Sequence, residues 1–227
     1  MTVGRTIVSG GAAGLGAAVT AAVAAAGGSP YVLDLHAPAS GVPWAKADVG
    51  DTMQVEEAVG LLADEAGGLD AVVTAAGIDV PGPFDQVDAA TWEQIVKVDL
   101  LGTAAVVRAA LPHLKRSNGH VVTVASTLGI KALPHATAYC AAKFGVVGLT
   151  RALAAELAGE VGVTLLIPGG MRTGFFDGRT DDYKPGPDAH LNDPAKVAAA
   201  VVFALAQPDG CVVRELVITP DVEPSWP

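Results

Sequence analysis

Short runs rich in Val and Ile, at residues 5–9, 31–35, 44–47, 71–75, 120–125, 163–167 and 213–219, alternate along this chain with longer stretches of helical period. A strand buried on both faces reads as a nearly continuous apolar run, and a parallel neighbour is reached only through a crossover of about a dozen residues or more. Alternation on this scale predicts an α/β chain with seven strands in a parallel sheet and helices on both faces. The 227 residues suffice for one large core and no break in the pattern divides them, so 1–227 reads as one domain. Ala, Val and Gly dominate while aromatics make up only 5%, which suits close packing of small side chains between helices and sheet.

Three helix starts carry capping chemistry: Asp51 with Gln54, Thr91 with Gln94, and Asp193 ahead of Pro194. The two longest helical patterns, 91–114 and 137–157, are weakly charged, so one face of each either packs on the chain's own sheet or meets a second subunit. The Ala-rich run 15–26 faintly matches the apolar stretch of a secretory signal. Alanine is only weakly apolar, however, and the run is shorter than the ~20 residues a membrane-spanning helix needs. From 174 to 192 the composition turns to Gly, Pro, Asp and Tyr without periodicity, which reads as a long loop, either a lid over a binding cleft or an unstructured excursion.

The first strand runs into Ser9-Gly10-Gly11-Ala12-Ala13-Gly14-Leu15-Gly16, and a helix follows at once. Glycine there permits a tight turn and a close approach of backbone to a pyrophosphate, while the helix start offers free N–H groups and a positive dipole end. A glycine-rich stretch alone is weak evidence, since an ordinary turn has the same composition. Asp34, eighteen residues after Gly16 at the end of the second strand, adds an acceptor at the spacing expected for an adenosine ribose. A carboxylate there repels the 2′-phosphate of NADP, and neither Ala13 nor Leu35 and His36 supplies a compensating Arg or Lys, so NAD is the expected cofactor.

Tyr139 and Lys143 lie in Tyr139-Cys140-Ala141-Ala142-Lys143, inside a helical pattern that puts both side chains on one face, one turn apart. An ammonium about 4 Å from a phenol favours the phenolate by ~4 kcal/mol at an effective dielectric of ~20, or roughly 3 pKa units before desolvation. Tyr139 then becomes a credible acid or base near neutral pH. Ser126, thirteen residues earlier, ends the fifth strand at the carboxyl edge, where open parallel sheets bind ligands. Taken singly, a helical Tyr-Lys pair is ordinarily surface decoration and a strand-end serine a local cap. Their coincidence with the glycine loop and Asp34 is what points to a site.

Taken together, these motifs make the chain resemble the short-chain dehydrogenase/reductase family in its compact form, over essentially the whole sequence. Two further segments agree: Ala47-Asp48-Val49 is similar to the family's adenine-binding Asp-Val pair, and Pro168-Gly169-Gly170-Met171-Arg172-Thr173 to the segment that holds the nicotinamide carboxamide. The resemblance implies a Rossmann-like, doubly wound sheet of order 3-2-1-4-5-6-7 and an NAD-dependent oxidoreductase interconverting a secondary alcohol and a ketone. It implies that Tyr139 is the proton donor or acceptor, that Ser126 holds the substrate oxygen, and that Lys143 binds the nicotinamide ribose and lowers the tyrosine pKa. The implied cofactor contacts are Gly10, Ala13, Gly14, Leu15 and Gly16; Asp34 and Leu35; Asp48 and Val49; Ala75, Ala76 and Gly77; Tyr139 and Lys143; and Pro168, Gly169, Met171 and Thr173. A homodimer or homotetramer built on the two long helices is expected by the same similarity, with the tail 214–227 as a second contact.

Two positions depart from the family pattern. Thr74-Ala75-Ala76-Gly77 stands where the family usually has Asn-Asn-Ala-Gly, so amide contacts there are lost or replaced. Asp99 stands where an Asn usually completes a proton relay to the lysine, largely through its main-chain carbonyl and a bound water, and is expected to retain that role. A non-catalytic NAD-binding regulator or scaffold on the same fold is the rival reading, because fold does not dictate function. Epimerase or dehydratase chemistry would call for a larger C-terminal substrate domain than the residues after Thr173 provide.

A formal charge of −10 with no basic cluster argues against nucleic acid, and no segment suits a membrane span. His36, His113, His120, His135 and His190 form no close ligand pair, so no metal is expected. Cys140 and Cys211, without CxxC spacing, read as buried free thiols of a cytoplasmic protein. Leu128, Leu133, Met171, Phe175, Phe176 and Tyr183 are candidates to line a partly apolar pocket, or equally to be ordinary packing.

Overall fold

The computed structural model describes residues 3–39 and 41–226. Seven strands, β1 (Arg5–Ser9), β2 (Ser29–Asp34), β3 (Trp44–Lys46), β4 (Ala71–Thr74), β5 (His120–Val124), β6 (Gly162–Pro168) and β7 (Glu215–Ile218), form one sheet. Their order is β3-β2-β1-β4-β5-β6-β7 with every neighbour parallel, the doubly wound order implied by the resemblance. Residues 1, 2, 40 and 227, included in the single-domain reading, lie outside the described residues. The crossovers carry helices α1 (Gly14–Ala25), α2 (Thr52–Ala66), α3 (Ala89–Val96), α4 (Thr103–Ser117), α5 (Thr137–Glu156) and α6 (Pro194–Leu205).

Alternation along each strand decides which helices it meets. Ile7, Val72 and Val121 join Val55, Val59, Val106 and Leu114 of α2 and α4 in one core layer. The next residues along those strands, Val8, Val73 and Val122, join Val19, Val23, Val197 and Val201 of α1 and α6 in the other. All of these side chains are buried, each stabilising the fold by about 1.5–3 kcal/mol before entropy is counted. α5 sets Val146 and Val147 against Leu165 and Ile167 of β6, which fixes the helix that carries Tyr139 relative to the sheet edge. The Ala-rich run 15–26 is almost entirely α1, and no described helix is long and apolar enough to cross a membrane.

The capping residues at Asp51 and Asp193 act as read: Asp51 accepts from the amides of Met53 and Gln54, and Asp193 from that of Ala195. The pattern over 91–114 needs two corrections. Its cap is Asp88, whose carboxylate accepts from the Thr91 amide at 2.9 Å and its hydroxyl at 2.7 Å, so Thr91 lies inside α3. Nor is it one continuous α-helix, because Lys97–Gly102 form a π turn between α3 and α4. Such a widening shifts side chains off the 3.6-residue stripe, and here it holds Asp99 fully buried. Of the two free cysteines Cys140 is buried, but Cys211 is exposed, contrary to expectation.

Candidate active site

The carboxyl ends of β1, β2, β4, β5 and β6 open into one cleft of about 920 Å³. It spans the β1–β4 boundary, where the chain's connections leave for opposite faces of the sheet, the place at which ligands enter open α/β folds.

One end of the cleft is a backbone cradle. Gly10 has φ +70°, and a Cβ there would stand 2.6 Å from the main chain of Ala76, so only glycine allows the first turn to meet the loop after β4. A side chain at Gly16 would collide with the Gly10 carbonyl. The α1 N-cap, Ala13, offers no side-chain acceptor, which leaves first-turn amides free for an anion. Asp34 is oriented by its surroundings: one carboxylate oxygen accepts from the Ala12 amide and the other from the His36 amide, both at 3.0 Å. This donor-rich turn beside an oriented carboxylate fits the pyrophosphate and ribose of a dinucleotide.

Tyr139 and Lys143 share a face of α5, with the Lys143 ammonium 5.4 Å from the centre of the phenol ring. The same ammonium donates to the Val124 carbonyl at 3.2 Å and stands 3.3 Å from a carboxylate oxygen of Asp99. The contact with Asp99 is electrostatic rather than a well-directed hydrogen bond, since that oxygen has no partner of good geometry. Asp99's other oxygen accepts from the Ile78 amide at 2.8 Å. Gly77 makes the approach possible, because a Cβ there would lie 3.1 Å from the Asp99 carboxylate. The Asp99 carbonyl accepts from the Thr103 hydroxyl at 2.8 Å, so Asp99 meets Lys143 directly with its side chain.

This geometry reverses the expected direction of the tyrosine shift. At an effective dielectric of ~20, a unit charge 3.3 Å away is worth about 5 kcal/mol, more than the ~4 kcal/mol anticipated for a phenol at 4 Å. Burial pushes the Tyr139 pKa up and outweighs the pull of Lys143; Asp99 and Asp79 push it further, while the Ser126 hydroxyl opposes them. Lys143 is held charged: burial lowers its pKa, but Asp99 and Tyr139 together raise it above the ordinary lysine value. Burial also raises Asp99, against the pull of Lys143. Tyr139 is therefore held toward its neutral phenol form.

The segment 174–192 carries two short 3-10 turns, Gly174–Phe176 and Asp181–Tyr183, and several of its residues line the cleft. Its base is tied by the Arg172 amide to the Asn192 carbonyl and the Asn192 amide to the Gly170 carbonyl, at 2.8 and 2.9 Å. Arg179 reaches Asp79 at 2.7 Å, its guanidinium 4.7 Å from the Phe176 ring centre and 5.2 Å from that of Phe175. The Tyr183 hydroxyl meets His135 Nδ1 at 3.0 Å.

Burial pushes Asp79 up to about 6, more than Arg179 pulls it down. The folded chain thus holds this proton more tightly than an unfolded chain with an ordinary value of 3.8, and the group's contribution to stability is lost as pH rises to about 6. Urea denaturation is expected to find the stability difference of Asp79→Asn over wild type about 2 kcal/mol larger at pH ~7.5 than at ~4.5, at 1.36 kcal/mol per unit. A difference that does not change with pH would contradict the assignment.

Of the expected cofactor contacts, all but Gly16 line this one cleft, as do Leu128, Leu133, Met171, Phe175, Phe176 and Tyr183. Gly16 instead supports the turn from behind. Ser126 and Asp99 lie just outside the lining: the Ser126 hydroxyl caps the next turn by accepting from the Leu128 amide at 3.1 Å, and Asp99 sits beneath Lys143. The Thr74 hydroxyl is buried without a partner, so it does not replace the amide contacts missing there. Sequence reasoning missed Asp79, Arg179, Glu223 and Ser225. Arg179 is the only Arg or Lys between Arg172 and Lys184, in a loop already suspected as a lid, and that was the available signal.

A profile of the short chain dehydrogenase family matches residues 5–184. Among curated relatives, the glycine betaine reductase of Emericella nidulans is 32% identical over 96% of this chain, which spans only 19% of that larger protein. The cis-4-hydroxycyclohexanecarboxylate dehydrogenase of Sinomonas cyclohexanicum is 31% identical, with 91% of each chain covered. Among solved structures, an alcohol dehydrogenase from the archaeon Thermococcus sibiricus, complexed with 5-hydroxy-NADP, superposes with a TM-score of 0.82. It is 24% identical, with 94% of each chain covered.

Proposed function

The chain belongs to the short-chain dehydrogenase family, and from that premise we propose that it is an NAD-dependent oxidoreductase interconverting a secondary alcohol and a ketone, with Tyr139 as the proton donor or acceptor. One observation carries the reading: a phenol with a buried ammonium 5.4 Å from its ring centre faces the same cleft as a glycine cradle and an oriented Asp34. A nicotinamide dinucleotide, when bound, supplies the hydride acceptor or donor that such an interconversion needs. Gly10 to Leu15, Asp34, Asp48 and Val49 would hold its adenosine and phosphates, and Pro168 to Thr173 its carboxamide.

In this mechanism the Ser126 hydroxyl orients the substrate oxygen while the Tyr139 hydroxyl gives up its proton to a carbonyl in reduction, and in oxidation the Tyr139 phenolate takes the proton of the alcohol. Lys143 stays charged throughout and stabilises the phenolate that carbonyl reduction leaves behind. Asp99 keeps Lys143 charged and in place, and the 174–192 loop, latched by Arg179 on Asp79, excludes water from above. The apolar wall of Leu128, Phe175 and Phe176 suits a substrate whose non-reacting part is hydrophobic. The name of the Sinomonas relative, a dehydrogenase of a ring-borne hydroxyl, agrees with a secondary alcohol. The chain works in the cytoplasm and assembles as a dimer or tetramer, for which the exposed Leu101 (58%) beside α4 and Phe144 (46%) on α5 speak.

The test is an absorbance screen for NADH formation across secondary alcohols. NAD binding without turnover on a broad panel of alcohols and ketones would favour the non-catalytic regulator instead. Because the related Thermococcus structure holds an NADP derivative, the cofactor preference needs its own measurement. NADP is expected to bind at least about tenfold more weakly than NAD, and Asp34→Ser to remove most of that difference by relieving charge repulsion at the ribose. Equal affinities in wild type would refute the NAD assignment without touching the chemistry at Tyr139.

A further inference from the structure

Beyond Ile218 the chain folds back over the carboxyl edge of the sheet, and its residues make a closed set of hydrogen bonds there. One Glu223 carboxylate oxygen accepts from the Gly170 amide at 3.0 Å; the other accepts from the Ser225 amide at 3.0 Å and the Ser225 hydroxyl at 2.6 Å. The Ser225 hydroxyl also lies 2.6 Å from that of Thr127, which is buried. Because Ser225 spends its only proton on the carboxylate, Thr127 must be the donor in that second contact. The chain of bonds therefore has one direction, from Thr127 through Ser225 to Glu223, and the Gly170 amide enters it from the opposite side. Lys131 adds a bond to the Pro224 carbonyl at 3.0 Å.

The two loops joined in this way both border the site. Gly170 lies in the turn after β6, and a side chain on its neighbour Gly169 would collide with the Glu223 carboxylate. Thr127 begins the short 3-10 turn Thr127–Gly129, which Ser126 caps with its own hydroxyl. Glu223, Pro224 and Ser225 line the cleft itself. We propose that Glu223 is a positioning residue, which through Ser225 and Thr127 locks the Ser126 turn against the Gly169–Gly170 backbone and makes the tail the wall that limits substrate size. The proposal rests on the alcohol–ketone reading above only for its kinetic half.

The test uses the full chain with Glu223→Ala, Ser225→Ala and Ser225→Thr. Hydrogen exchange reads the coupling without any substrate. In Glu223→Ala the amides of Gly170, Gly129 and Ile130 are expected to exchange about tenfold faster or more, with Val72 and Val73 of β4 unchanged. Ser225→Ala should speed Gly129 and Ile130 while leaving Gly170 protected, and Ser225→Thr, which keeps the hydroxyl, should restore both. In kinetics with NAD and a series from 2-propanol through cyclohexanol to 1-phenylethanol, Glu223→Ala should raise KM about fivefold or more, with kcat within about threefold, and shift kcat/KM toward the larger alcohols. NAD affinity, measured separately by fluorescence titration, reports any effect of the freed Gly169–Gly170 backbone on the cofactor, so that the KM for alcohol is read at saturating NAD.

Unchanged exchange at Gly129 and Ile130 in both alanine variants would overturn the coupling. So would a loss confined to kcat with the size profile intact. If wild type oxidises no alcohol, the functional reading fails, and the exchange pattern alone still decides the positioning role.

Discussion

Replacing Tyr139 with phenylalanine is expected to lower kcat roughly 10²–10⁴-fold, the range typical of a lost general acid or base, while NAD affinity stays within about twofold. The phenyl ring preserves the packing against Phe175, whose ring centre lies 5.8 Å away, so the fold and the cleft wall persist. What disappears is the hydroxyl that the proposed mechanism uses to exchange a proton with the substrate oxygen. Steady-state kinetics in both directions, with cofactor titration by fluorescence, makes the comparison. A variant turning over at near the wild-type rate would sink the proposed mechanism.

The second large effect is expected at Lys143, and it should split into a stability part and a catalytic part. Lys143→Met strands a fully buried Asp99 carboxylate, and removing one partner of such a pair typically costs about 3–5 kcal/mol of stability. Asp99→Asn in the same chain should recover most of that loss by removing the stranded charge. Catalysis should stay well below the wild-type level. Lys143 pulls the Tyr139 pKa down against burial, so its loss leaves less phenolate at a given pH and slows alcohol oxidation further.

Asp99→Asn alone tests the same electrostatics from the other side. Asp99 raises the Tyr139 pKa, so removing its charge should move the rising limb of alcohol oxidation to lower pH. Thermal denaturation of the single and double variants, together with pH–rate profiles, separates these contributions. Recovery of activity in the double variant, or a limb that moves upward in Asp99→Asn, would contradict the arrangement.

Much of the site was legible in the residues because its parts obey local rules. Four residues on a helix put Tyr139 and Lys143 on one face, glycines mark a turn that tolerates no Cβ, and Asp34 ends a strand whose length is set by its apolar run. The strands and their parallel sense follow from alternation, and the sheet order from the resemblance. The lengths of α3 and α4 were misjudged because a π turn leaves no mark in apolar periodicity, and Asp88 was passed over for Thr91 although both are good caps.

What the amino-acid sequence determined by itself was the class of fold, the cradle and the identity of the groups around the cleft, all set by spacings of a few residues. The tertiary structure alone decided how those groups are charged. Lys143 meets Asp99 across 44 positions, Arg179 meets Asp79 across 100, and Ser225 meets Thr127 across 98. A pKa depends on burial and on every charge nearby in space, and both come into being only when distant segments pack together. Spacing could therefore set an ammonium beside Tyr139, while burial and two carboxylates from elsewhere in the chain reversed the sign of the shift.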